Sequence, residues 1–350
     1  MVEYVSTNDI EEFYKSRRPC QGAGYLRFIL MAFVSFWNFG FPEPTGFISA
    51  LSGFAVPAFF ILSGFFIMPA DRDERLEKMK HKIKRTALWF GLLFIAYVII
   101  NIPVCIFGHI SVVISRRVIF NFIVLNLWFL PIGSCIWFIQ AMLYAYILIY
   151  IADKLNLLKY YKAVLVASMI FMLFTGEFAG LIHFNVLGYN YIPGNWFTRA
   201  LPYILLGMLL REKAELFVNL HKLVYAIAFV VGIALVIAEI ILLRKVGCLV
   251  YEGHMIGYGI MAFAACCIAV SYPSLFSTRI SYYDTSLSGL SYSLMEPIYF
   301  ILAIIAGKLS LGFFSYFCGF AALILSLVIA FVLRNNKFAH LFFSYREAVE

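Results

Sequence analysis

The stretch PAFFILSGFFIM, residues 57–68, decides the fold, because it is an apolar helix that carries one hydroxyl, Ser63, and one glycine, Gly64. Charged residues follow it within a few positions. A helix that crosses hydrocarbon satisfies its own backbone hydrogen bonds, so a small polar side chain within it needs a packed neighbour. We expect that neighbour to be the apolar helix just before it.

The composition of the whole chain agrees with this interpretation. Of its 350 residues, 63% are hydrophobic and only 13% are charged, whereas soluble domains average about 45–50% apolar and about 25% charged residues. Because a spanning helix needs roughly 20 mostly apolar residues, the sequence predicts an all-α, polytopic membrane helix bundle with about ten transmembrane helices. The predicted spans are 24–41, 45–68, 86–107, 135–151, a fifth ending near Phe174, 196–210, 223–243, 253–272, 286–307 and 311–333.

The distribution of basic residues predicts the orientation of this bundle. Lys and Arg concentrate in alternate connections, above all in residues 72–85, and short cytoplasmic loops carry such an excess. We therefore expect both termini inside, with a cytoplasmic arm at 1–23, a membrane domain at 24–333 and a cytoplasmic tail at 334–350. Basic inner loops face anionic lipid, which explains the net charge of +8 without nucleic acid.

The sequence contains no recognisable metal-binding motif and no phosphate-binding P-loop. The seven cysteines and six histidines show no metal-ligand spacing, and there is no P-loop and no His-Glu-x-x-His helix. We expect no metal and treat the cysteines as buried, free thiols.

Polar residues inside the predicted spans are the candidate functional groups, because ionisable side chains are costly in the membrane. Arg27 and Asn38 lie three helical turns, about 16 Å, apart on one face of span one, and that face would meet Ser63. Glu296 lies near the middle of span nine, just before Pro297. Two structural alternatives stay open: Arg27 as an anchor that snorkels to the interface, and Glu296 as a packing carboxyl kept protonated by burial.

Five short motifs lie in a fixed order along the chain, at residues 25–27, 59–64, 82–85, 136–138 and 201–208. In this order and spacing they resemble the motifs of the acyltransferase-3 family of bacterial membrane O-acyltransferases. The length and the predicted ten-span plan fit as well, so the resemblance covers nearly the whole chain.

The resemblance implies transfer of an acyl group, usually acetyl from cytoplasmic acetyl-CoA, to a hydroxyl of a cell-surface glycan or its lipid-linked precursor. It further implies a multi-pass protein of the bacterial cytoplasmic membrane whose partners are lipid, glycan and acyl-CoA. On the inner face, Arg27, Lys82, Lys84 and Arg85 are the candidates to bind the phosphates of the donor.

The chain departs from the family pattern at two positions. The family has a histidine thought to be catalytic eleven residues after the arginine of span one, and this chain has Asn38 there. An amide lacks the basicity to take a proton, so Asn38 could only orient a hydroxyl or hold a carbonyl oxygen. Many members also carry a late His-Pro, where this chain has Glu296 and Pro297.

Three interpretations follow from the sequence. The first is a working acyltransferase in which Glu296 supplies the base, assisted by Asn38 and Ser63. The second is a family member that has lost catalysis and binds or moves a glycan or lipid. The third is an unrelated polytopic transporter whose motifs match by chance, which the absence of clear inverted repeats makes less favoured.

Overall fold

The computed structural model describes residues 20–42, 46–68, 71–107, 109–182, 192, 194–247, 254–271 and 279–333. Within these ranges every regular element is helical, as the sequence predicts. Short helical turns at Ser52–Phe54, Leu158–Tyr160, Glu177–Gly180 and Trp196–Ala200 join the longer helices. The helices are α1 Gln21–Phe39, α2 Phe47–Leu51, α3 Ala55–Ile67, α4 Arg72–Phe107, α5 Arg116–Leu125, α6 Ile136–Lys154, α7 Tyr161–Thr175, α8 Leu201–Glu212, α9 Ala214–Val218, α10 Lys222–Lys245, α11 Ile256–Ser271, α12 Arg279–Lys308 and α13 Gly312–Leu333.

The protein is a multi-pass membrane protein by the length and composition of its helices. Seven helical segments in the described part of the chain are long and apolar enough to cross a bilayer. The exact count of ten spans, and the orientation with both termini inside, stay predictions. The seven segments are Phe47–Ile67, Arg72–Phe107, Ile136–Lys154, Leu158–Thr175, Lys222–Lys245, Leu287–Lys308 and Tyr316–Leu333.

Three of the ten predicted spans are not among these seven. The helix α1 is long enough but carries Arg27 and Asn38 among its apolar residues. The helix α8 has 12 residues after a five-residue π-helical turn, and α11 has 16. At 1.5 Å per residue these helices are shorter than the roughly 30 Å hydrocarbon core.

The basic connection before span three is helical rather than a loop. A single 36-residue helix, α4, runs from Arg72 to Phe107 and contains both the charged segment and the predicted span. Lys, Glu, Arg and Met are good helix formers, and Glu74 pairs with Lys78 one turn on. The charged half therefore continues the helix of the span, and its Lys and Arg side chains project from fixed positions on that helix.

A buried ion pair joins the start of α4 to the end of α6. The guanidinium of Arg75 donates to both carboxylate oxygens of Asp153, at 2.6 and 2.9 Å. Arg72 donates to the backbone carbonyl of Asp153 at 2.8 Å. Two-pronged pairing of this kind fixes both partners, so α4 and α6 are held together at this end of the bundle.

The helix α3 lies at the centre of the bundle. Phe60, Ile61 and Leu62 are at most 1% exposed, and α3 packs against α1, α8 and α11. The expected contact with the preceding helix, α1, is confirmed. The neighbour that touches Gly64 is α8, however, where the backbone of Ile204 approaches the glycine directly.

The predicted division of the chain into an arm, a membrane domain and a tail stays a prediction. Residues 1–19 of the arm and the whole tail, 334–350, lie outside the described residues, as do residues 43–45 of the predicted tight turn. The helix α12 runs without interruption through Pro297.

Candidate functional site

A cavity of about 220 Å³ lies between α1, α3, α4, α6 and α12. It extends along α3 from Val56 to Ser63, and its basic part lies beside Ser63, towards the side that the sequence predicts to be the inner one. One part of its wall is basic and the rest is mostly apolar. The lining residues are Arg27, Met31, Val34, Val56, Phe59, Ser63, Lys82, Arg85, Thr86, Trp89, Phe138, Met142, Tyr146, Ser288, Gly289 and Tyr292.

Three of the four predicted donor-binding cations meet in this cavity. Arg27 from α1 and Lys82 and Arg85 from α4 line it together. The Arg27 guanidinium lies 5.1 Å from the ring centre of Phe66, and the Lys82 ammonium lies 5.7 Å from the ring centre of Tyr146. Aromatic faces attract cations, so these two rings help to hold both side chains in the wall of the cavity.

The spacing along α4 explains which of its cations reach the cavity. Lys82, Arg85, Thr86 and Trp89 follow the i, i+3, i+4, i+7 pattern of a single helix face. Lys84 lies on the opposite face, is exposed and does not line the cavity. The structure thus does not bring Lys84 to the other three predicted cations.

Ser63 supplies a hydroxyl to the wall of the cavity that Arg27 also lines, but its side-chain hydrogen bonds are with α6 rather than with the preceding helix, α1. Its Oγ donates to the Met142 sulfur at 3.7 Å, and it also interacts with the Tyr146 side chain. Its backbone carbonyl accepts from the Lys82 ammonium at 3.5 Å. Thioether sulfur is a weak acceptor, so this hydroxyl can turn to a stronger acceptor brought by a ligand.

Asn38 does not join the other predicted site residues. Its side chain is exposed, and its Nδ2 donates to the Val34 carbonyl of its own helix at 3.0 Å. The helix face that the sequence predicts to be shared runs from Arg27 through Met31 to Val34, and all three residues line the cavity. Asn38 lies one further turn along, beyond the cavity.

Glu296 lies outside the cavity lining and accepts hydrogen bonds from the turn before α6. Its Oε1 accepts from the backbone N–H of Gly133 and of Ser134 at 2.9 Å each, and from the Ser134 hydroxyl at 3.0 Å. Its Oε2 accepts from the Cys135 N–H at 3.1 Å. The carboxylate is 2% exposed, so the structure gives it the geometry of a cap on the N-terminal end of α6.

The family model for an acyltransferase domain matches residues 22–332. The chain belongs to the acyltransferase-3 family. A protein of Enterococcus faecalis named amino-acid racemase is 29% identical over 171 residues, which is 46% of this chain. The matched segment is 22% of that protein's length. No solved structure matches the chain significantly.

Membership of the acyltransferase-3 family rules out one of the three interpretations of the sequence. The third, an unrelated transporter with chance matches, is wrong, because the family match covers nearly the whole chain. What remains is a membrane protein with an acyltransferase domain, either active or altered in function.

The cavity is also lined by residues that the sequence does not single out. Thr86 and Trp89 could have been found from the helix face that carries Lys82 and Arg85. Tyr146 and Tyr292 had no such signal, because aromatic residues are frequent throughout this chain. The Tyr292 hydroxyl donates to the Cys135 carbonyl at 2.6 Å, which joins the cavity wall to the turn that Glu296 caps.

Proposed function

We propose that this protein transfers an acyl group from an acyl-CoA donor, with acetyl-CoA the expected one, to a hydroxyl of a cell-surface glycan or its lipid-linked precursor. The observation that carries the proposal is the cavity that joins three cations to an apolar interior. No acidic side chain is among its described lining residues. Such a site favours a ligand with a polyanionic end and a short apolar end.

The basic wall suits the phosphate groups of the donor. Arg27, Lys82 and Arg85 come from two helices, and the Arg75–Asp153 pair holds the charged half of α4 in place. Guanidinium and ammonium groups bind phosphate through charge-assisted hydrogen bonds. The donor would then lie with its phosphates towards the predicted cytoplasmic side and its thioester among Ser63, Phe59 and Met142.

Ser63 is the proposed partner of the thioester carbonyl. In the reaction, the acceptor hydroxyl oxygen bonds to the acyl carbon, the carbon–sulfur bond breaks with its electron pair on sulfur, and the hydroxyl proton passes through a base to the departing CoA thiolate, which leaves as the free thiol. A hydroxyl directed at the carbonyl oxygen stabilises the negative charge that develops there. Neither Glu296 nor Asn38 lines the cavity: each lies one helical turn beyond a lining residue, Tyr292 and Val34 respectively. We keep Glu296 as the proposed base, since an amide cannot take the proton, and test that role below.

A second candidate function is supported by one observation. Among the described lining residues there is no histidine, aspartate or glutamate, and the family's histidine position holds Asn38. A protein that binds or moves a glycan or lipid without acyl transfer needs no base. This alternative predicts ligand binding in the cavity without thioester cleavage.

The experiment that separates these functions uses purified full-length protein with acetyl-labelled acetyl-CoA and bacterial membrane glycan extracts. The proposal expects release of free CoA thiol together with label in the glycan fraction. If neither appears while the glycan extract still stabilises the protein against heat, transfer is refuted and the binding function is supported. A bacterial cytoplasmic membrane location is part of this proposal, since both substrates are found there.

Replacing Lys82 with alanine should weaken CoA binding by about 10- to 150-fold, the equivalent of the roughly 1.5–3 kcal/mol of a hydrogen bond to a charged group. We expect the same for Arg27→Ala. The measurement is the CoA-dependent rise in melting temperature, titrated to obtain Kd.

Lys84→Ala is the matched control, since it removes the same charge from the same helix outside the cavity. We expect its Kd for CoA to stay within about twofold of the original value, as screened exposed charges contribute little. If Lys82→Ala and Lys84→Ala changed the Kd for CoA equally, CoA would bind to the basic surface of α4 in general and not to the cavity. An unchanged Kd in Arg27→Ala would leave Arg27 as an interfacial anchor.

A further inference from the structure

A second concavity, which we call the lateral groove, lies between α7, α8, α9, α10 and α11. Its volume is about 460 Å³, and it shares no lining residue with the first cavity. The crossing of α3 and α8 lies between the two. From this groove we infer a binding site for one hydrocarbon chain of an anionic membrane lipid, a site that does not depend on the proposed acyl transfer.

The lateral groove has a buried floor and an exposed rim. On its floor, Met172, Tyr225 and Met255 are 2%, 4% and 0% exposed. On its rim, Leu220 and Val224 are 41% and 47% exposed. A flat membrane-facing surface lacks such a floor, so a chain in this groove would be enclosed on several sides and exchange less readily than bulk lipid.

The lining of the groove excludes water as its natural occupant. Apart from the hydroxyls of Tyr203 and Tyr225, every lining side chain is apolar or glycine, and the Tyr225 hydroxyl already donates to the Phe217 carbonyl. A buried water needs two to four polar partners. Small residues, Ala228 and Gly259 among them, leave the space that a chain of methylene groups can fill.

The groove runs along the bundle, as a lipid chain does. One end lies at Leu220 and Val224, where α10 begins, and the other at Met255 and Ile256, where α11 begins. These helices are antiparallel. Tyr225, near the start of α10, contacts Cys267, near the end of α11, whereas Glu239, towards the end of α10, accepts from the backbone N–H of Ile256 at the start of α11. The two ends of the groove therefore lie at different depths of the membrane.

The charges at the α10 end select an anionic headgroup. Lys213, just before α9, and Lys222, at the start of α10, are exposed there. Two acids lie nearby: Glu215, in the first turn of α9, and Glu212. In Glu212 burial favours the neutral form, but hydrogen bonds from Lys162 and Tyr161 lower the pKa of its carboxyl below the usual value. Lysines at the end of an apolar groove match the phosphate of a lipid headgroup.

The test uses the purified full-length protein and phosphatidylglycerol with a photoactivatable group in one acyl chain. After illumination, labelled peptides are mapped by mass spectrometry. We expect labelling to concentrate in 169–173, 217–228 and 255–264, well above the exposed faces of α4 and α13. Labelling spread evenly over all membrane-facing helices would overturn the site.

Ala228→Phe fills the groove, and Ala226→Phe adds the same ring to an exposed position of the same helix outside it. Ala228→Phe should reduce the groove labels to background, whereas Ala226→Phe should keep them. Equal labelling of both variants would refute the site. If Ala228→Phe does not elute as a single species, the label map of the original protein decides.

Competition separates the headgroup from the chain. Unlabelled phosphatidylglycerol should displace the label better than phosphatidylcholine of the same chain length, and the Lys213→Ala/Lys222→Ala variant should lose that preference. Equal competition by both lipids would refute the anionic selectivity. None of these measurements involves acyl transfer, so their failure and that of the proposed function are distinguishable.

Discussion

Replacing Glu296 with glutamine should lower the free energy of unfolding by about 1–3 kcal/mol, the usual cost of leaving a buried donor unsatisfied. The carboxylate accepts from three consecutive backbone N–H groups and from one hydroxyl. A glutamine keeps one acceptor oxygen and turns an NH₂ group towards donors that need acceptors. Thermal unfolding of the purified variant measures the change.

Glu239→Gln is the matched control for this substitution. Glu239 accepts from the backbone N–H groups of Ile256 and Gly257 at 3.0 and 3.1 Å, so it caps α11 as Glu296 caps α6. It does not line the proposed donor cavity. The two variants should therefore lose stability to a similar degree.

Activity then decides whether Glu296 is also the base. If it is, Glu296→Gln should abolish kcat under conditions where the variant is fully folded, Glu239→Gln should retain kcat, and Asn38→Ala should reduce it less than Glu296→Gln. If Asn38→Ala has the larger effect, or if both glutamine variants keep kcat when folded, Glu296 is a structural cap alone.

The sequence located the cationic wall of the cavity but not its extent. Arg27, Ser63, Lys82 and Arg85 were predictable because charged and hydroxyl groups are rare in apolar helices and carry their own signal. The sequence does not separate Lys84 from these residues, because neighbours in a basic run show no helix face. Once residues 72–85 are known to be helical, the direction of Lys84 follows from 3.6 residues per turn.

Other features depend on tertiary packing and have no local signal. The hydrogen bonds of Glu296 join residues 161 to 163 positions apart in the chain, which no window of sequence can show. Composition predicts which helices are apolar, but α8 and α11 are short and largely buried among other helices. The count of spans therefore depends on where these helices lie, and hydropathy alone cannot fix it.

The crossing of α3 and α8 depends on two glycines, Gly64 and Gly207. A Cβ at Gly64 would overlap the carbonyl of Ile204, and a Cβ at Gly207 would overlap the carbonyl of Ile61. In both cases the obstacle is backbone, which cannot turn aside as a side chain can. Small residues let membrane helices approach to backbone contact, and this approach explains why each glycine belongs to one of the quoted motifs.

Gly64→Ala should therefore destabilise the protein by about 1–3 kcal/mol or more, the cost of overpacking a close-packed core, and Gly207→Ala should act similarly. Because Ser63 precedes Gly64, separation of the helices should also move its hydroxyl and weaken CoA binding. The matched control is Gly91→Ala on α4, where a Cβ would meet nothing within 4 Å and alanine should stabilise the helix by roughly 0.5–1 kcal/mol.

Melting temperature and CoA titration of the three variants provide the measurement. Unchanged stability in Gly64→Ala would mean that α3 and α8 do not cross at these glycines, and the position of Ser63 in the cavity would then lose its structural basis.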